Sequence, residues 1–258
     1  MAVRVKLFKI IAIGVLLCCT GAVKCAEANR NDFRGYLQGR HVFGSQCAPC
    51  HGSRGRGDGP WSEGMTVLPR NFRMGIFKYR STPMGFLPTD DDLRRTIKKG
   101  VSGTAMPTFG KSLSESDITA VIVYLKNLSH RWEDLGRKTN GMILPEEPSW
   151  FAESENYKKH LARGRDTYRQ ICVNCHGESG KGDGPGSKGL TNVWSHVVAP
   201  ANLALPHLRS GSTRQDFFRT ISMGLDGTPM IGFGSVFRDE QIWELIAVVE
   251  SLKKSDRK

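Results

Sequence analysis

Along most of this chain apolar residues recur three and four positions apart rather than two, which predicts amphipathic helices. Ile118, Val121, Ile122, Leu125 and Leu128 share one helical face, and Ser114 is placed to start that helix. Near the C-terminus Ile242, Leu245, Ile246, Val249 and Leu252 repeat the pattern. The acidic run Asp90, Asp91 and Asp92 predicts another helix start, ahead of Leu93 and Ile97. A first helix carrying Phe33, Tyr36, Leu37 and Phe43 has Asp32 as its candidate cap, and Tyr157, Leu161 and Tyr168 mark a counterpart. No hairpin or alternating strand pattern is visible. The expected fold is therefore mostly α with long loops.

The N-terminus reads as a processing segment. Arg4, Lys6 and Lys9 precede an uncharged apolar stretch from Ile10 to Val23, and Ala26-Glu27-Ala28 matches an A-x-A cleavage site. Residues 1–28 are expected to be a signal peptide, with the mature start near Asn29 and an extracytoplasmic, periplasmic destination. Cleavage beside Cys25 and an uncleaved membrane anchor are the alternatives.

The remainder is written twice. Gly39-Arg-His-Val-Phe43 leads to Cys47-Ala-Pro-Cys50-His51, and 125 residues later Gly164-Arg-Asp-Thr-Tyr168 leads to Cys172-Val-Asn-Cys175-His176. Each His is followed by a glycine-rich run ending in Gly-Asp-Gly-Pro, at Pro60 and Pro185. Pro69-Arg-Asn-Phe72 then pairs with Pro200-Ala-Asn-Leu203, and Gly103-Thr-Ala-Met106 with Gly227-Thr-Pro-Met230. These matches divide the chain into a first domain (29–130), a linker (131–157) and a second domain (158–258). Gly39 and Gly164, eight residues before each first cysteine, are expected where two helix backbones approach closely.

Seven cysteines fall into two classes. Cys18, Cys19 and Cys25 lie in the signal segment, and the other four form two pairs, each followed at once by His. C-x-x-C-H is a haem c attachment pattern. Two thiols three positions apart on a helical turn reach the two vinyl groups of one porphyrin, and the next residue turns its imidazole toward the iron. A redox C-x-x-C needs no adjoining His, and zinc would need two further ligands at short range. Composition agrees: with 39% hydrophobic residues, two small domains have thin cores and need a buried cofactor to complete them. The expected cofactors are two covalently attached haem c groups, one per domain.

With these motifs, the Gly-x-x-x-aromatic segments before them and the closing helices, the chain resembles the class I c-type cytochromes in their tandem di-haem form. The resemblance implies two cytochrome c-like helical domains, each wrapped around one haem. It implies Cys47, Cys50, His51, Cys172, Cys175 and His176 as cofactor-binding residues and a methionine ahead of each last helix as the sixth iron ligand. Met106 and Met230 hold that position, so the implied iron ligands are His51, Met106, His176 and Met230. Met106 is followed by Pro107 as the family pattern has it; Met230 is followed by Ile231, a departure that leaves His196 and His207 as rival ligands. Met65, Met74, Met84, Met142 and Met223 are expected to be core filler.

The glycine runs are not phosphate loops, because neither follows a strand and neither carries Lys-Ser/Thr. They are expected to let backbone pass close to the haem edge, with Asp58 and Asp183 in turns. Arg70, Arg73, Arg80 and Arg209 are candidates for pairing with haem propionates, Asn71 and Asn202 for hydrogen bonds near the haem, and Trp61 and Trp194 for packing.

Electron transfer is the expected function, with no catalytic residue. The net charge of +12 is spread along the chain, which suits docking to redox proteins with acidic surfaces. No basic helix or basic-aromatic stripe points to nucleic acid. Two other readings stand beside a free carrier: a haem subunit of a membrane-bound respiratory complex, and a haem oxidoreductase acting on a small substrate. No cysteine beyond the four haem thiols is left as an alternative iron ligand, which argues against the last.

Overall fold

A computed structural model of the chain describes residues 33–255, and the expected signal segment and the Asp32 cap lie outside the described residues. Helix α1 covers residues 33–42 and runs through one π-helical turn, Phe43–Cys47, into the short α2, Ala48–His51. Helices α3 (Asp90–Lys99) and α4 (Glu115–Asn127) complete the first repeat. The second consists of α5 (Ser154–Ile171), α6 (Val173–His176), α7 (Arg214–Met223) and α8 (Asp239–Ser255). Among the described residues β-structure is limited to two isolated bridges, Thr191 with Val197 and Leu208 with Gly211. The fold is mostly α, as the periodicity predicts.

Local chemistry starts three of these helices in one way. Thr89 with Asp92, Ser114 with Asp117 and Thr213 with Asp216 form capping boxes: each hydroxyl accepts an N–H of the first turn, and each carboxylate accepts the cap's own N–H. The apolar faces then meet. Val42, Phe43, Phe72, Leu93, Ile118, Val121 and Leu125 build the first core; Phe217, Phe218, Ile242, Trp243 and Ile246 dominate the second. On α1 only part of the expected face is used: Tyr36 packs against the core, while Phe33 and Leu37 are exposed.

The two early glycines sit where α1 crosses α4 and α5 crosses α8. A Cβ on Gly39 would fall 2.0 Å from the Ala120 carbonyl oxygen, and one on Gly164 would fall 2.3 Å from that of Glu244. Both crossings therefore bring backbone against backbone.

The segment between the repeats is packed on both. Trp132 lies against the first core and Trp150 is buried in the second. The Leu87 and Met142 N–H groups donate to the Arg137 and Ser81 carbonyls at 2.8 and 2.7 Å. The repeats also meet directly, because Arg80 donates to the carbonyls of Gly224 and Met223. Three packing expectations need correction. Trp61 is 67% exposed, and Met74 and Met84 are exposed as well. Trp61 and Met74 stand in single 3-10 turns, Pro60–Ser62 and Phe72–Met74, and Met84 in the loop that follows.

Substituting Gly39 or Gly164 by Ala must push the paired helices apart, at a cost on the order of 1–3 kcal/mol each. Denaturant unfolding of the holo-protein checks this; an unchanged midpoint would refute the close crossing. Asp92 and Asp216 yield a second expectation. Burial opposes their charge, but hydrogen bonds outweigh it, from Ser81, Arg95 and Thr89 at Asp92 and from Arg219 and Thr213 at Asp216, and hold both carboxyls below the usual range. A lowered native pKa gives stability that is present above the unfolded carboxyl value and is lost as pH falls through the native one. Stability should fall from about pH 5 downward, and Asp92→Asn should flatten that slope while lowering stability at neutral pH.

Candidate haem sites

In each repeat the paired cysteines and the histidine occupy one short turn. Cys47 closes the π turn, and Cys50 and His51 end α2. In the second repeat α5 stops at Ile171, Cys172 breaks the helix, and Cys175 and His176 end α6. No disulfide joins the four cysteines, and Cys47 and Cys172 lean against the cores. Burial, with the neighbouring thiol adding to it, pushes Cys47 up to about 12 and Cys172 up to about 11.

Both histidines are held by the same device. The His51 Nδ1–H donates to the Arg70 carbonyl at 3.0 Å, and the His176 Nδ1–H to the Ala201 carbonyl at 3.2 Å. These carbonyls directly precede Asn71 and Asn202. Each Asn Oδ1 accepts the N–H two residues on, from Arg73 and Ala204, at 3.0 Å. The asparagines thus turn the strap that presents the carbonyl to the ring. The strap is zipped to the glycine run: Phe72 N–H donates to Gly55 at 2.8 Å and Leu203 N–H to Gly180 at 2.6 Å. Phe72 also stacks on the His51 ring at 4.5 Å between centroids. Burial lowers the pKa of both imidazoles, against the carbonyl bond that raises it, so each ring is held neutral with Nε2 left over. A neutral imidazole with one nitrogen tied and one uncommitted is what an iron ligand requires.

The glycine runs approach the chain itself. A Cβ on Gly57 or Gly182 would fall 2.6 or 2.5 Å from the carbonyl oxygen of Pro69 or Pro200. Gly59 and Gly184 lie as closely over the motif turn, and Gly52 and Gly177 abut the carboxylates of Asp58 and Asp183. These glycines thus pass tightly against the strap, the motif turn and those carboxylates.

Met106 and Met230 stand in matching loops between α3 and α4 and between α7 and α8. The Met106 and Met230 N–H groups donate to Thr104 and Thr228 Oγ1 at 3.1 and 3.3 Å. Sequence reasoning passed over these threonines, although Thr-x-Met recurs in both repeats. His41, His196 and His207 are exposed.

Between the repeats lies a knot of positive charge. The Arg70 guanidinium sits 4.4 Å over the Trp194 ring, and the indole Nε1 is buried without a partner. Burial pushes Arg70 down to about 10; burial first, then Arg70 and Arg209, pushes Lys78 down to about 8. Arg70, Lys78 and Arg209 thus act on one another, and Asp226 is a carboxylate that acts on Arg70. Of the four arginines expected near propionates, Arg73 and Arg209 are exposed, and Arg80 donates to carbonyls of the second repeat. Lys78 joins the knot unforeseen.

The sequence model of the family described as cytochrome c oxidase, cbb3-type, subunit III matches residues 35–125 and 159–248. The chain belongs to this family. Its relatives include the cbb3-type cytochrome c oxidase subunit FixP of Bradyrhizobium diazoefficiens, 28% identical over 74% of this chain and 52% of the relative. FixP of Azorhizobium caulinodans is 28% identical over 61% and 44%, and CcoP of Azospirillum brasilense 27% over 83% and 61%. The chain spans about half the length of these curated relatives. Among solved structures, a chain of the Kuenenia stuttgartiensis reducing HAO-like protein complex Kustc0457/Kustc0458 matches with a TM-score of 0.74 and 32% identity, over 83% of this chain and 95% of that one. The protein is a c-type cytochrome of two tandem haem domains, with one covalent haem c in each.

Replacing Asn71 or Asn202 by Ala removes the acceptor that turns the strap and should cost on the order of 0.5–1.5 kcal/mol. Asn→Asp, which keeps the oxygen, should cost less. Chemical unfolding of the holo-protein distinguishes the two; equal loss would show that the oxygen is not what matters.

Proposed function

We propose that the chain is an extracytoplasmic electron relay in which Cys47 and Cys50 bind one haem c and Cys172 and Cys175 the other. His51 and His176 present Nε2 to the irons, and Met106 and Met230 supply the opposite thioethers. The observation that carries this reading is the paired Nδ1-to-carbonyl bond, which recurs in the same frame of both repeats and sets each ring for ligation. When bound, the haem irons supply one-electron redox chemistry. The chain's own contribution is to fix the imidazoles, exclude water from them, and place Arg70, Lys78, Arg209 and the Trp194 N–H for propionates.

The relatives are oxidase subunits and the structural match comes from a protein complex, so the partner we propose is a larger redox assembly at a membrane. No helix among the described residues is long and apolar enough to cross a membrane. The net charge of +12 supports a second mode, brief docking as a free carrier to acidic redox proteins. No residue is proposed as catalytic.

The visible spectrum of the ferric protein tests the ligand set. Two equivalents of the weak red band of Met-to-iron bonding are expected per chain, with two haems by haemochrome assay; one or none would overturn it. Cys47→Ala with Cys50→Ala should leave the first domain unfolded, because its thin core depends on the haem. Native-like helical signal from that domain without its haem would refute the dependence.

A further inference from the structure

The two methionine loops close by the same bonds up to a point. At the end of α3 the carbonyls of Thr96, Ile97 and Lys98 accept from the N–H groups of Gly100, Phe109 and Gly110. At the end of α7 those of Thr220, Ile221 and Ser222 accept from Gly224, Phe233 and Gly234. One residue on, Val101 N–H donates to the Met106 carbonyl at 3.1 Å and Leu225 N–H to the Met230 carbonyl at 2.9 Å.

The repeats part at the helix ends. The C-terminus of a helix is its negative pole and favours a cation there. Helix α3 carries Lys98 and Lys99 in its last turn, whereas α7 has no basic residue in its own. Its cation arrives from the other domain. Arg80 Nη2 and Nη1 donate to the Met223 and Gly224 carbonyls, both at 3.3 Å, and its Nε lies 4.0 Å from Asp226. The side chain is buried at 1% exposure. Among the described residues the arrangement has no mirror image. Ser81 and Ser212 are equivalent, since their N–H groups donate to Asp92 and Asp216, so the position matching Arg80 is Gly211.

The clamp acts directly on the loop. Gly224, one residue before the N–H that holds Met230, lies so close that a Cβ on it would fall 2.7 Å from the Met230 carbonyl oxygen and 2.5 Å from Gly232 N. We propose that Arg80 is a positioning residue for Met230: reaching across from the first domain, it fixes the end of α7 and thereby the loop that offers the thioether. Ligation of the second iron then depends on how the first domain is docked, while among the described residues no equivalent guanidinium reaches the Met106 loop. This rests on the reading of Met230 as an iron ligand.

The test uses the full holo-protein in a Met106→Ala background, where the red band reports the second haem alone. One equivalent there establishes Met230 as ligand; no band would defeat that reading, and this proposal with it, before Arg80 is touched. Adding Arg80→Ala is expected to remove at least half of the band while both haems are retained, and Arg80→Lys to keep most of it. In a Met230→Ala background, Arg80→Ala should leave the Met106 band unchanged. A full band in the Met106→Ala, Arg80→Ala protein overturns the proposal, as does loss of both methionine bands together, which would mark a general loosening. If Arg80→Ala does not accumulate, the temperature at which the band disappears is compared with and without Arg80→Lys in the Met106→Ala background. A lower temperature with Lys supports the clamp, and no change overturns it.

Discussion

The hydrogen bond from each histidine Nδ1 to a backbone carbonyl is the constraint from which the rest of each repeat follows. For His51 the acceptor lies 19 residues along the chain and for His176 it lies 25, so a loop must be brought back over the motif turn and held there. Proline, asparagine and a following Phe or Leu shape that strap, and the glycine run gives it a surface to zip onto. Gly57 and Gly182 are needed because a side chain would collide with the strap carbonyls, and their φ of +80° is one that L-residues rarely adopt. The ring is left neutral by burial and aimed by the carbonyl, which is how protein surroundings set the basicity of a metal-bound imidazole.

Two such repeats are not independent bodies. The linker lays Trp132 on one core and Trp150 in the other, and the direct seam gathers Arg70, Lys78, Arg80 and Arg209 with few carboxylates opposite. Concentrated charge of one sign in a partly buried place is costly unless anions answer it. Asp226 answers part, and helix-end carbonyls answer Arg80. The duplicated architecture is also used unequally. The same fold places a guanidinium on one methionine loop and a glycine at the matching point of the other, so pseudo-symmetric sites meet different mechanical surroundings.

Much of this was legible in the chain. Helical spacing in Ile118–Leu128 and Ile242–Leu252, acidic starts before Leu93, and the doubled C-x-x-C-H pattern determine helix positions, duplication and cofactor class, because these are local or periodic signals. The recurrence of Gly39 and Gly164 was enough to mark two close helix crossings. Tertiary structure decided what depends on residues far apart in sequence. It made Asn71 and Asn202 strap-turning residues, brought Lys78 beside Arg70 and Arg209, left Trp61 outside, and sent Arg80 into the second domain. The physical reason is that a polar side chain takes its role from whichever partner the fold delivers. Composition shows that Arg80 is a cation; only the meeting of the two domains assigns it the end of α7.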